Sequence, residues 1–223
     1  MRLNEHVHLK SVYLLRENMS LKMKNPVGKR REQQKAETYD LILESARFLF
    51  NTKGFEKTTI RAVASHAEIA LGTIYTHFKN KKALLAAAFH DDLVRLYGEA
   101  IGTMPAHVSI TEQFIHLAGF NYRYYTSRPK LSREYLCHIA LVDDEWSVKI
   151  EAFDSSYSQK VTDLVCAAQE RGEISGEKDG HFVALSLMAD YFFVLGDLFL
   201  RQKINDTEKM LSFLNKMIKQ TIC

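Results

Sequence analysis

Apolar residues recur three and four positions apart along almost the whole chain, and the strict alternation of a half-buried strand is missing. Tyr39, Ile42, Leu43, Ala46, Leu49 and Phe50 place one helix over residues 34–53, with Gly54 as its stop. Thr59 then caps a short helix to about His66, and a second short one runs from Ala70 to about His77. Asn80 caps a long helix that continues to about Ile101, where Gly102 and Pro105 end it. Ser109 and Glu112 make a capping box for a helix to about Thr126, and Pro129 opens another to about Val142. A helix from Glu145 to Arg171 stops at Gly172, an apolar one follows near 180–202, and Asn205 with Glu208 caps a last one to about Ile222. The chain is therefore expected to be all-α.

Charge divides these helices into two groups. Residues 1–90 carry 16 Lys and Arg against 8 Asp and Glu, whereas residues 91–223 carry 14 against 19. A basic first third followed by an acidic remainder suits a nucleic-acid module joined to a part that does not meet phosphate. Residues 1–33 are polar, end in Lys29, Arg30 and Arg31, and contain Pro26 and Gly28, so they are expected to form a disordered arm, in which Met19 and Met23 offer alternative starts. Residues 34–80 are assigned to the basic module and 81–223 to a second helical part. The apolar run Phe182–Leu200 is long enough to cross a bilayer, but it carries Asp190 and Asp197. Each would cost about 2.5–3.5 kcal/mol at a membrane centre, so this helix is expected to be buried in protein, without a membrane partner. Cys137, Cys166 and Cys223 are odd in number and lack the spacing of a zinc site, which fits reduced thiols in the cytoplasm.

The stretch Thr58–Leu85 reads TTIRAVASHAEIALGTIYTHFKNKKALL, the plan of a helix-turn-helix reader of double-stranded DNA. Val63, Ala64, Ala67, Ile69 and Ile74 supply an apolar joint, while Gly72, Thr73 and Thr76 leave an outward face that is low and hydroxylated. Threonine hydroxyls pair with base edges, and their methyl groups meet thymine methyls. Thr59 at a helix start, with Tyr75, His77 and Lys81 at the far end, supplies donors where a phosphate backbone would pass.

Gly54-Phe55, Thr58-Thr59-Ile60, Val63-Ala64, Gly72-Thr73-Ile74-Tyr75, His77-Phe78, Lys81 and Ala83-Leu84 together resemble the DNA-binding segment of the TetR family, over about residues 35–85. The resemblance implies an all-α homodimer that reads a palindromic operator and releases it when a small effector binds the C-terminal part. It also implies phosphate contacts at Thr59, Tyr75, His77 and Lys81, and base-facing positions at Thr73 and Thr76 with Leu71 nearby. Two positions depart from the family pattern. Glu68 stands where the turn usually holds Gly, and Ala70 stands where a capping Ser or Thr is common.

The remainder carries the dimer and the pocket in this reading. Phe182, Leu185, Phe192, Leu195 and Phe199, with Leu211, Leu214 and Ile218, offer the apolar surface of a four-helix dimer bundle. Phe114, His116, Tyr122, Tyr125, His138, Trp146, Phe153 and Tyr157 are candidates to line a pocket for an apolar or aromatic effector, with plain core as the alternative. No metal spacing, cofactor fingerprint or nucleophile–base constellation is present, so neither a cofactor nor an enzyme is expected. The second functional reading is a DNA-binding regulator without a small ligand, controlled by a protein partner.

Overall fold

The structure is a computed structural model that describes residues 26–138 and 145–222. Among the described residues every regular element is helical. The helices are α1 (Pro26–Lys53), α2 (Ile60–His66), α3 (Leu71–His77), α4 (Lys81–Gly102), α5 (Ile110–Ser127), α6 (Pro129–His138), α7 (Glu145–Glu170), α8 (Gly180–Val194) and α9 (Thr207–Ile222). Without a break α8 runs on into a π-helical stretch, Leu195–Arg201. The start of α1 at Pro26 takes residues 26–33 out of the expected arm, because proline is tolerated in a first helical turn. The rest of that arm, and residues 139–142 of the expected sixth helix, lie outside the described residues.

Contacts divide the chain into one unit up to Ile42 and a second from Leu43 onward. In the first, α1 presents an exposed, polar surface on which Gln33 donates to Glu37 and the Thr38 hydroxyl donates to the Gln34 carbonyl. The second unit holds the short helices and the long ones together.

Local chemistry sets most of the helix ends. Thr59 accepts from the Ala62 amide and Asn80 from the Ala83 amide. Ser109 and Glu112 exchange both bonds of a capping box. Gly54 and Gly172 stop their helices in the left-handed region, at φ +86° and +76°. At α9 the cap differs from expectation. Asp206 accepts from the Lys209 amide, whereas Asn205 accepts from Arg133 and so ties the last loop to α6.

The core of the second unit lies between α4, α5, α7, α8 and α9, where Phe89, Phe114, Leu117, Tyr122, Val161, Leu187, Phe199, Leu214 and Ile218 are buried. Helix α8 with its π-helical continuation is apolar enough to cross a membrane by length and composition. Its two acids are engaged within the protein. Asp190 accepts from Thr221, and Asp197 pairs with Arg201 and accepts from Gln202.

One ionic cluster joins the short helices to the long ones. Asp92 on α4 is 6% exposed, and its Oδ2 lies 3.0 Å from Arg47 Nε of α1. The Tyr124 hydroxyl of α5 donates to the same oxygen at 2.8 Å, and Arg128 lies 3.8 Å away. Arg47 Nε also donates to the Ala88 carbonyl at 2.8 Å. Burial, with the neighbouring carboxylate, pushes the Tyr124 hydroxyl far above its ordinary range, so it remains a donor.

Three changes test these features. Glu68 adopts φ 55°, so Glu68→Gly should raise the unfolding free energy by about 1 kcal/mol, measured by urea denaturation. Asp92→Ala strands Arg47 in a half-buried site and should lower stability by about 3 kcal/mol in the same assay. Tyr124→Phe removes one hydrogen bond and should cost about 1 kcal/mol.

Candidate nucleic-acid interface

The reader is built outward from a closed apolar joint. Ile60, Val63 and Ala64 of α2 are buried with Ala67, Ile74 and Phe78, so α3 is fixed against α2 by its inner side. The Thr58 hydroxyl is buried and lies within hydrogen-bond reach of the Gly54 carbonyl at 2.8 Å and the Leu49 carbonyl at 3.2 Å, which binds the start of α2 to the end of α1. His66 adds a second tie. Its ring stacks on Phe48 at 4.9 Å, and its Nδ1 lies 3.1 Å from the buried Ser45 hydroxyl.

The turn between α2 and α3 is a Schellman motif. The Ile69 amide donates to the Ala64 carbonyl and the Glu68 amide to the Ser65 carbonyl, with Glu68 at the left-handed position that glycine favours. Ala70 then caps α3 with no side-chain hydrogen bond. Both departures read in the sequence are therefore physical. The turn carries backbone strain, and α3 lacks a side-chain cap, a loss of about 1 kcal/mol.

Beyond the joint, α3 turns Gly72, Tyr75 and Thr76 to solvent, with Leu71, Thr73 and His77 half-buried beside them. The Thr76 hydroxyl donates to the Thr73 carbonyl at 2.7 Å, so its lone pairs and methyl group face outward. Thr59 keeps its hydroxyl hydrogen after its oxygen has accepted the Ala62 amide. Lys81 has a structural role that its position did not announce. Its ammonium donates to the Phe55 carbonyl at 2.8 Å and sits 4.1 Å from the centre of the Phe55 ring, bracing the loop between α1 and α2. Exposed cations surround the reader at Lys57, Arg61, Lys79 and Lys82. Sequence reasoning had not singled out Arg61; its place on the outer face of α2, between Ile60 and Val63, was the available signal.

The pocket candidates separate into two groups. Trp146, Phe153 and Tyr157 of α7 join a ladder of rings with His90 and Tyr97 of α4 and Tyr191 of α8. Tyr122 and Tyr125 meet the same Tyr191, which accepts from the Tyr122 hydroxyl through its carbonyl and donates to the Tyr125 hydroxyl. Phe114 is fully buried core, and His116 contacts the Ala100 carbonyl and Thr103 at the end of α4, apart from this ladder. The His138 side chain lies outside the described residues. His90, Tyr97, Tyr135 and Tyr191 were missed because their neighbours are distant in sequence. A separate open groove of about 440 Å³ runs along α7, lined by polar side chains such as Asp154, Ser158 and Thr162, with His181 of α8.

The dimer candidates also divide. Leu195, Phe199, Leu214 and Ile218 are buried within the chain and so belong to its own core, and Leu211 is half-buried. On α8 and its continuation no polar face shows which side points inward, and the apolar stripe of α9 shows that it faces protein but not whether of its own chain or a second copy. Phe182, Leu185 and Phe192 do stand outside, together with Phe193 and Phe213, whose rings stack at 6.4 Å across α8 and α9.

Residues 42–88 match the family model described as bacterial regulatory proteins, tetR family. The TetC protein of transposon Tn10 from Escherichia coli is 39% identical over 59 residues, which are 26% of this chain and 30% of that protein. The chain spans between 18% and 36% of the length of TetC and three comparable relatives. A longer alignment joins it to the transcriptional regulator TtgR of Pseudomonas putida, 26% identical over 170 residues, 72% of this chain and 80% of TtgR. Among solved structures, the regulator FadR of Bacillus subtilis, in complex with stearoyl-CoA, superposes with a TM-score of 0.67 at 16% identity, over 82% of this chain and 97% of FadR. That likeness is one of fold. Residues 42–88 thus match the DNA-binding segment of the TetR family, and the all-helical architecture around them shares its fold with solved regulators.

Proposed function

We propose that the chain is a dimeric transcriptional repressor of the cytoplasm that reads a palindromic operator in double-stranded DNA and is released by a small apolar or aromatic effector. The observation that carries this reading is α3 itself. It is a short helix locked on its inner side, with a low hydroxylated face turned outward and cations on either side of it. In this reading residues 34–80 form the reader and residues 81–223 the effector and dimer body.

Thr73 and Thr76, with Leu71, meet base edges. Because its hydrogen is engaged by the Thr73 carbonyl, Thr76 offers an acceptor and a methyl group, which suits the amino group of cytosine or adenine and the methyl of thymine. Thr59, Tyr75 and His77 meet phosphates, and Arg61, Lys57, Lys79 and Lys82 supply the counter-charge. Lys81 serves this interface from behind, through its bond to the Phe55 carbonyl, as well as by its charge.

A two-fold dimer is supported by the exposed Phe182, Leu185, Phe192, Phe193 and Phe213, of which Phe193 and Phe213 stack on each other, since monomers seldom leave large apolar surfaces bare. Dimerisation also matches two half-sites on DNA. The effector reading draws support from FadR, solved with stearoyl-CoA. The second reading, control by a protein partner, is favoured by one observation, the close packing of the interior, where Phe89 and Tyr135 stack at 3.8 Å.

Selection of sites from random duplex DNA should return a palindrome, bound with an affinity that falls steeply as salt rises. Tyr75→Phe should weaken every site about three- to tenfold and leave the melting temperature unchanged, whereas Thr76→Val should reorder the preferred sites. Lys81→Ala should lower both affinity and melting temperature. Unchanged affinity and site preference in Tyr75→Phe and Thr76→Val would remove α3 from the interface. Phe193→Asp should yield a folded monomer by light scattering, with operator affinity reduced to that of one half-site; a persisting dimer would place the interface elsewhere.

A further inference from the structure

Two polar atoms deep in the ring ladder have no hydrogen-bond partner, His90 Nδ1 on α4 and the Tyr157 hydroxyl on α7. Their residues are 9% and 5% exposed, so water does not serve them from outside. Leaving such groups unpaired is costly, and native proteins usually do so at positions with a task. Phe153 neighbours both residues. Its ring is 5.9 Å from that of His90 and 6.4 Å from that of Tyr157, and it is itself half-buried, at the outer edge of the ladder beside Tyr97.

We infer that Phe153 is a gate, and that the effector is an uncharged planar ring bearing hydrogen-bonding groups, which takes the place of the Phe153 side chain beside His90 Nδ1 and the Tyr157 hydroxyl. The inference rests on the proposed effector control and names the class of ligand and its anchors.

The chemistry of the walls selects this class. Trp146, Tyr97, Tyr157 and Tyr191 offer ring faces and edges, which favour a planar aromatic partner. Burial, with Lys149 nearby, lowers the affinity of His90 for a proton, and burial raises that of the Tyr157 hydroxyl, so both anchors are neutral. Lys149 sits against the Trp146 ring with its ammonium 4.0 Å from the ring centre, and it is exposed. A carboxylate or a coenzyme A phosphate seated at His90 and Tyr157 would lose its hydration there against two neutral groups, while the Lys149 ammonium stays at the exposed face of Trp146. Position adds a means of control. His90 lies two residues before Asp92 on α4, and its neighbour Phe89 stacks on Tyr135 of α6. A ring wedged against His90 therefore displaces the helix whose Asp92 holds Arg47 beside the reader.

The test uses the full chain and its single tryptophan, Trp146. Methyl 4-hydroxybenzoate is the neutral probe, 4-hydroxybenzoate its charged counterpart, and stearoyl-CoA the long-chain alternative. The methyl ester should change Trp146 fluorescence saturably, raise the melting temperature and bind at least about tenfold more tightly than the acid. Tyr157→Phe should weaken the ester about tenfold without lowering the melting temperature in the absence of ligand. Phe153→Ala should tighten it, because the competing ring is gone, an outcome that a purely structural Phe153 would not give. Equal binding of ester and acid, preference for stearoyl-CoA, or no loss in Tyr157→Phe would overturn the inference. So would an absence of ester binding by protein that still retains its selected duplex, and in that case the DNA-binding reading stands. Failure to retain any duplex, with the ester bound as described, would instead remove the DNA-binding reading and leave the ligand site in place.

Discussion

A single buried carboxylate, Asp92, fixes where the reader stands on the rest of the chain. Its partners are Arg47 of α1, Tyr124 of α5, Arg128 at the C-cap of α5, and Arg95 of its own α4. A buried charge is stable only when its lone pairs are served, so this group tolerates few arrangements of the helices around it. That intolerance is useful in a regulator. Apolar contacts slide over short distances with little change in energy, whereas an ion pair of this kind is either made or broken. In the proposed function, the geometry that α3 would present to DNA is set by a discrete interaction, in a region where most other contacts are non-directional.

The same helix links this cluster to the neutral ring ladder. Phe89 and His90 face the aromatic interior, Asp92 faces the arginines, and the two environments are separated by less than one turn of α4. On one side polarity is low and two groups are unpaired. On the other, charge is concentrated, with three arginines around one carboxylate. A change in the first can reach the second through one rigid segment, without a chain of intermediate residues.

Most helix ends were legible in the sequence because they are decided within a few residues. Thr59, Asn80, Ser109 with Glu112, Gly54 and Gly172 each act on backbone groups close by. The cap of α9 was displaced by one residue because Asn205 is drawn away by Arg133, 72 positions earlier. The strain at Glu68 was readable for the same local reason that the caps were. The role of Lys81 was not, since its partner is the carbonyl of Phe55, 26 positions away, and nothing in a lysine announces a carbonyl. The outward rings of α8 could not be told from the inward ones either. A helix that is apolar on every side has no amphipathic pattern, and only its neighbours decide which residues are covered.

The π-helical stretch at Leu195–Arg201 has a mechanical consequence. Its turns are wider and its hydrogen bonds poorer than those of the α-helix before it, which makes it the softer part of one continuous rod. Upstream of it lie the exposed rings of Phe192 and Phe193; within it, Leu198 and Phe199 are seated in the core and the Phe199 carbonyl accepts from Arg133. Both parts of the rod are seated on their inner side, through Leu187 and Val194 before the joint and Leu198 and Phe199 within it, so the compliance lies in the angle between the two parts. In the proposed dimer, two copies that meet through α8 can thus adjust their angle while each core stays intact.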